Sequence, residues 1–325
     1  MTADRIKHPV MILTLFSVTA HANPIFYGDQ ESDYPTVVAL GAGSGAITAC
    51  TGNLLTPRIV LTAAHCGADL PLEFVVEYGE AYFGEIASSF DEAIGLDDAI
   101  IHPDYVPLSS GVGGTLGEND VSVLILSEEA SVAPSRIRLE PLTGEVEGTT
   151  LTSVGFGVTE TGGSGVKFSA ELTLDTLDPV FLISYSATNE DGANICSGDS
   201  GGPQFYINEG GTPVQWAVHS WGDADCVHSS GSTRVDVVAD WLLEQVEAVH
   251  GTTDLCEING LYGDGVCETD CDAVDPDCLE DDTGGEGGEP AGCGCASAGG
   301  ASGLLWPLLL AFVALRERKA ILLPE

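Results

Sequence analysis

Apolar and polar positions alternate in short stretches, and the period of that pattern changes towards the end of the chain. Tyr34-Pro35-Thr36-Val37-Val38-Ala39-Leu40 alternates into a first strand. Further on, Val237, Val238, Trp241, Leu242, Val246 and Val249 fall on one face of a helix that Asp236 can cap and Gly251 can end. Two continuous apolar runs stand apart from this pattern. Val10 to Val18 follows Arg5 and Lys7 and precedes Ala20-His21-Ala22, which predicts a signal peptide (1–22) cut after Ala22; the run is too short for a permanent membrane span. Ala296 to Leu315 carries no charge and is followed by Arg316, Arg318 and Lys319, so it has the length and flank to cross a bilayer with the basic cluster in the cytoplasm.

Composition sharpens this picture. The chain has 325 residues, enough for one large domain with appendages, and its 41 glycines with only 18% charged residues suit many short strands joined by tight turns. Ten Lys and Arg against 50 Asp and Glu give a net charge of −40, which disfavours nucleic acid and anionic membrane faces and favours solubility, calcium or basic partners. Ten cysteines behind a secretory leader imply an oxidising compartment and disulfides. Cys256, Cys267, Cys271 and Cys278 lie in an acidic segment (252–279) too short to bury much core; two disulfides with three possible pairings would hold it. Its spacing lacks the paired knuckles of a zinc site. The Gly/Glu/Asp segment that follows (280–292) reads as a linker.

The chemistry centres on Cys196-Ser197-Gly198-Asp199-Ser200-Gly201-Gly202-Pro203. A tight glycine turn there holds one hydroxyl clear of the backbone and leaves N–H groups free. A serine hydroxyl needs a base and a group to orient that base. Leu61-Thr62-Ala63-Ala64-His65-Cys66 supplies a histidine, and Asp120 stands at the mouth of the hydrophobic strand Val121-Ser122-Val123-Leu124. Alone, the glycine-serine string also fits a phosphate-binding or turn loop, and a histidine in an apolar run fits a core residue. Together, in the order His, Asp, Ser, the three segments resemble the chymotrypsin/trypsin-like serine endopeptidases, and the resemblance runs from Ile25 to His250.

That resemblance implies an all-β fold of two six-stranded antiparallel barrels with a C-terminal helix, here followed by the small disulfide-rich module and the hydrophobic tail. It implies His65, Asp120 and Ser200 as catalytic residues and the N–H groups of Gly198 and Ser200 as the oxyanion hole. Cys50–Cys66 would close the hairpin that delivers His65, contributing about 3 kcal/mol by loop-closure entropy, and Cys196–Cys226 would brace the second barrel. The substrate pocket would comprise Asn194 at its base, Ser220, Trp221, Gly222 and Gly231. A neutral base predicts a neutral side chain before the cut bond, aromatic or long and apolar, although Asp223 and Asp225 near the rim can attract a cation. Freed after removal of Asn23-Pro24 (23–24), the α-amino group of Ile25 would pair with Asp199 and order the site. His102, beside a proline, reads as structural. Asp69, Glu73, Glu77, Glu80 and Glu85 read as a solvated acidic face.

Protein or peptide substrates are expected, with no cofactor unless the carboxylates bind calcium, and no nucleic-acid partner. A catalytically dead homologue serving as a surface binding or adhesion protein would have lost one of the three residues, and none is lost. The order of Gly-Cys-Gly-Cys at 292–295, apolar run and basic cluster (293–320) resembles the C-terminal sorting tails of myxobacterial surface proteins. The expected location is therefore secreted or on the outer surface of a bacterium, with membrane contact through that tail.

Overall fold

The computed structural model describes residues 25–68, 70–107, 117–265, 271 and 273–278. The expected leader (1–22), dipeptide (23–24), linker (280–292) and tail (293–320), together with Asp69 and Cys267, lie outside the described residues. Among the described residues no helix is long and apolar enough to cross a membrane.

A short strand β1 (Asp29–Gln30) precedes β2 (Val37–Ala42), β3 (Ile47–Thr56) and β4 (Ile59–Thr62), which lead into α1 (His65–Ala68) and α2 (Leu72–Tyr78). Strands β5 (Glu80–Phe83), β6 (Glu92–Ile101) and β7 (Ser122–Leu126) complete a closed antiparallel barrel of order β2-β3-β4-β7-β6-β5. Strand β2 is apolar on both faces because both faces are covered. Val38 and Leu40 point into the barrel core with Leu54, Phe83 and Leu124, whereas Val37 and Ala39 pack with Val154, Phe156 and Phe205 of the second half.

The second half comprises β8 (Arg136–Ile137), β9 (Thr150–Gly155), β10 (Phe168–Thr173), β11 (Thr176–Leu177), β12 (Phe181–Tyr185), β13 (Pro203–Ile207), β14 (Pro213–Gly222) and β15 (Ser229–Arg234). With β1 these form a nine-stranded sheet of order β1-β10-β9-β13-β14-β15-β12-β11, with β8 parallel to β14. The expectation of two closed six-stranded barrels is thus met by the first half only. Between β10 and β12 the ladder does not close: the N–H of Thr173 donates to the Asn189 side chain at 2.7 Å, and Leu172, Ala193 and Ile195 fill the gap.

The closing helix α3 (Ala239–His250) lays Leu242 and Val246 on Ile59, Leu61, Val123 and Ile125 of the first barrel and ends at Gly251, whose φ of 77° is left-handed. Two details differ from expectation. Val237 is exposed, and Asp236 does not cap α3 but binds Arg234 through two nitrogens at 3.0 and 2.6 Å. Arg234 also donates to the carbonyls of Asp178 and Leu142, all within the protein interior. Arg234→Ala leaves the Asp236 carboxylate buried without its cation and is expected to cost about 3 kcal/mol, read as a fall in the urea midpoint.

Past Gly251, α4 (Leu255–Ile258) is capped by the Asp254 carboxylate and packs Leu255 and Ile258 against the α3 cluster. Asn259 donates to the carbonyl of Leu55 at 3.0 Å. Cys256 pairs with Cys271, which settles one bridge of the module, and Cys278 is also disulfide-bonded. The described part of the cysteine-rich segment belongs to the same compact unit as the barrels.

Candidate active site

Strand β4 ends at Thr62, and two fully buried alanines carry the chain into α1, whose first residue is His65. On the neighbouring strand a turn with Asn119 at φ 55° presents Asp120 at the entry to β7. Asp120 is fully buried. Its Oδ1 accepts from the His65 backbone N–H at 2.9 Å, and its Oδ2 lies 2.7 Å from His65 Nδ1. A third contact comes from the other half of the molecule, where Ser220 Oγ donates to Oδ2 at 2.6 Å. Ser220 is the extra residue of a β-bulge between His219 and Trp221, and the bulge turns its hydroxyl away from the β15 ladder.

Ser200 lies on the loop before β13, held against the first barrel. Its carbonyl accepts from the Thr51 N–H at 2.8 Å and lies 3.7 Å from Cys66 Sγ. The Cys50–Cys66 bridge is present, and the His65 ring lies within 4.8 Å of both sulfurs, so Ser200 and His65 flank one disulfide. This Cys50, His65, Cys66 group has ligand spacing for a metal, but disulfide sulfurs offer no thiolate. Gly201, with φ 83°, lies so flush on the barrel that a Cβ would come within 2.0 Å of Thr62 Oγ1. Thr51 escaped sequence reasoning: its hydroxyl donates to Gly198 O at 2.9 Å and accepts from Phe156 N at 3.0 Å, tying the serine loop to both halves. The available signal was a polar residue next to Cys50 in an apolar strand. Among the described residues no protein group accepts from the N–H of Gly198 or Ser200.

Asp199 is fully buried, accepts from Gly157 N and Cys196 N at 2.8 Å each, and is pushed up to about 7 by loss of hydration, which the two donors only partly offset. Ile25 is also fully buried, and Phe26 bridges to Asn194. Ile25 has φ 43°, a left-handed conformation that strains a β-branched residue.

Beside Ser200, a cavity of about 250 Å³ is lined by Ile195, Cys196, Ser197, Ser220, Trp221 and Gly222, with the Cys196–Cys226 bridge on its wall. Asn194 and Gly231 do not line it. Asn194 is fully buried with both amide atoms unpartnered, and the Trp221 indole rests on Gly231, where a Cβ would come within 2.3 Å of the ring. Asp223 at the rim accepts from the backbone N–H groups of Asp225, Val227, His228 and Ser229; these outweigh the upward effect of burial and hold its carboxyl below the ordinary range. His219, behind Ser200, is buried against Ser232 and pushed down to about 3 by desolvation. His102 packs on Trp241 at 4.8 Å.

A family model described as Trypsin matches residues 27–242. The chain is similar to a trypsin of Saccharopolyspora erythraea, with 28% identity over 231 residues covering 66% of this chain and 94% of that protein. It is also similar to trypsin V-B of Rattus norvegicus, with 30% identity over 242 residues, 68% of this chain and 88% of that protein. Lectizyme of Glossina austeni is 29% identical over 241 residues, 65% and 79% of the respective chains. With that match spread over both halves of the fold, the chain belongs to the trypsin family and is a serine endopeptidase.

Proposed function

We propose that the protein is a secreted endopeptidase that cuts peptide bonds through an acyl-enzyme on Ser200, with His65 as the base and Asp120 as its orienting group. The observation that carries this reading is the 2.7 Å contact between His65 Nδ1 and a fully buried Asp120, with His65 and the half-buried Ser200 both against the Cys50–Cys66 bridge. Ser200 Oγ attacks the scissile carbonyl as its proton passes to His65 Nε2. The carbonyl oxygen, now negative, is met by the N–H groups of Gly198 and Ser200, worth several kcal/mol of barrier. As the tetrahedral species collapses, His65 returns the proton to the departing amine, and water repeats the sequence to release the acid.

The pocket beside Ser200 takes the side chain before the cut bond. Asn194 behind it is neutral, and the Asp223 carboxylate is occupied by four backbone donors, so a neutral side chain is preferred. With Trp221 on Gly231, a large ring reaches full depth only when the indole moves.

Activation follows cleavage before Ile25. The new α-amino group pairs with Asp199, whose buried carboxylate otherwise faces only neutral donors. The same cut abolishes the strained φ of Ile25, because that dihedral exists only while Pro24 is attached. Disulfides and the leader support secretion, and the 293–320 segment is proposed as a surface-sorting tail. The central test is a serine-directed phosphonate: the adduct is expected on the peptide containing Ser200, and an unmodified Ser200 with the probe on another residue overturns the assignment.

A further inference from the structure

Every polar group of Thr51, a fully buried residue of β3, is engaged around the serine loop. Its N–H donates to the carbonyl of Ser200 at 2.8 Å, and its hydroxyl donates to the carbonyl of Gly198 at 2.9 Å while accepting from the N–H of Phe156 at 3.0 Å. The Thr51 carbonyl accepts from the Thr62 hydroxyl at 2.7 Å, which ties the residue to the end of β4. One residue of the first barrel thus holds, by their carbonyls, the two residues whose N–H groups meet the oxyanion.

Gly198 is where such a hold is needed. Its φ is 94°, and a Cβ would come within 2.9 Å of Gly157 Cα, so no side chain of its own can steady the turn. The two peptide planes that meet at its Cα are fixed from outside. Val158 N–H donates to the Ser197 carbonyl at 2.8 Å. A trans peptide sets its N–H opposite its C=O, so this bond aims the Gly198 N–H away from Val158. The next plane is held at both ends, by the Thr51 hydroxyl on the Gly198 carbonyl and by the Asp199 N–H on the Cys196 carbonyl at 3.1 Å. Of these three bonds only the one from Thr51 is made by a side chain.

We infer that Thr51, through its hydroxyl, is a positioning residue for the oxyanion hole, an inference that rests on Ser200 being the nucleophile and on Gly198 donating to the oxyanion. The hydroxyl keeps the Gly198 N–H in the direction that a developing negative oxygen needs. Bound substrate gains little from that alignment, whereas the tetrahedral species depends on it.

The test is made on the active enzyme with a fluorogenic peptide. Thr51→Val keeps the shape and removes the hydroxyl; it is expected to lower kcat about tenfold with KM within about twofold, a smaller loss than deleting an oxyanion donor outright. Thr51→Ser keeps the hydroxyl and is expected to stay within about threefold of wild type. A peptide aldehyde supplies a second readout: Ser200 Oγ adds to its carbonyl carbon, the oxygen takes the electron pair and faces the hole, and the Ser200 proton passes to His65. Thr51→Val is expected to bind the aldehyde about tenfold more weakly and the matching peptide alcohol, which forms no adduct, as well as wild type does. An unchanged kcat in Thr51→Val, a loss that Thr51→Ser shares, or equal weakening of aldehyde and alcohol overturns the assignment. If Thr51→Val does not fold, Thr51→Ala, which places no methyl against the Gly198 carbonyl, carries the same expectations. A wild-type Ser200 that takes up neither aldehyde nor phosphonate sinks the nucleophile and this role of Thr51 together.

Discussion

Ser200→Ala is expected to lower kcat/KM for peptide hydrolysis by about 10⁴-fold or more, and His65→Ala by a similar factor, with the double variant scarcely worse than either because the two groups act as a unit. Neither change should unfold the protein. The Ser200 carbonyl keeps its bond from Thr51, and His65 is held through a backbone N–H that alanine retains. Asp120→Asn is expected to cost about as much, for a reason specific to this geometry. One oxygen of the side chain must continue to accept from the His65 backbone N–H, so the amide nitrogen occupies the position of Oδ2 and faces His65 Nδ1. The imidazole is then fixed with its proton on Nε2, the nitrogen that has to accept from Ser200. Steady-state kinetics on a fluorogenic peptide, with intact disulfides as the folding control, measures all three; peptide turnover in Ser200→Ala within tenfold of wild type would remove Ser200 from the reaction.

The second large effect concerns pH. While the bond before Ile25 is intact, Asp199 is buried without a cation, and its folded value lies near 7 against an ordinary 3.8. The native state then binds the extra proton, so the stability contributed by the protonated carboxyl is complete below pH 3.8 and is lost as pH rises towards 7, by an amount on the order of 4 kcal/mol. After the cut, a paired α-amino group lowers the folded value, and the same carboxyl instead contributes stability above its unfolded value, lost only in acid. The urea midpoint of the uncut chain is therefore expected to fall between pH 5 and pH 7, while that of the cut chain stays level over the same window. Asp199→Asn should flatten the uncut profile relative to wild type, which isolates this carboxyl from the many others. Parallel profiles for the two chains would disprove the pairing. N-terminal sequencing of active enzyme with Asn23 still attached would do so independently.

The parts of the site legible in the sequence are those whose chemistry forces a residue type. A serine among glycines, a histidine after an apolar strand and an aspartate before another were readable as candidates because each sits where strand ends and turns leave a local signature. The closing helix was readable from its period and its glycine stop. What was not readable depends on contacts distant in sequence. Ser220 lines the pocket as expected, but nothing local signals that the bulge also turns its hydroxyl onto Asp120, 100 residues away. Gly231 was expected as a bare wall, and nothing local indicates that an indole from the neighbouring strand covers it. Where the second sheet stays open, Thr173 is met by the side-chain amide of Asn189 rather than by a strand, a partner that no periodicity registers. Glu73 and Glu77 lie one helical turn apart on α2, and Val75 and Val76 between them pack towards the barrel, an apolar face that the charge pattern of this stretch conceals.

Asp120 is gripped from two directions, by His65 within the first barrel and by Ser220 from the second sheet. A hydrolase released into a compartment full of unfolded chains endangers its own siblings before anything else. Here the two contacts come from different halves, so a nascent copy with one half formed holds Asp120 from one side only, a requirement of assembly that precedes the cut before Ile25 and is separate from it.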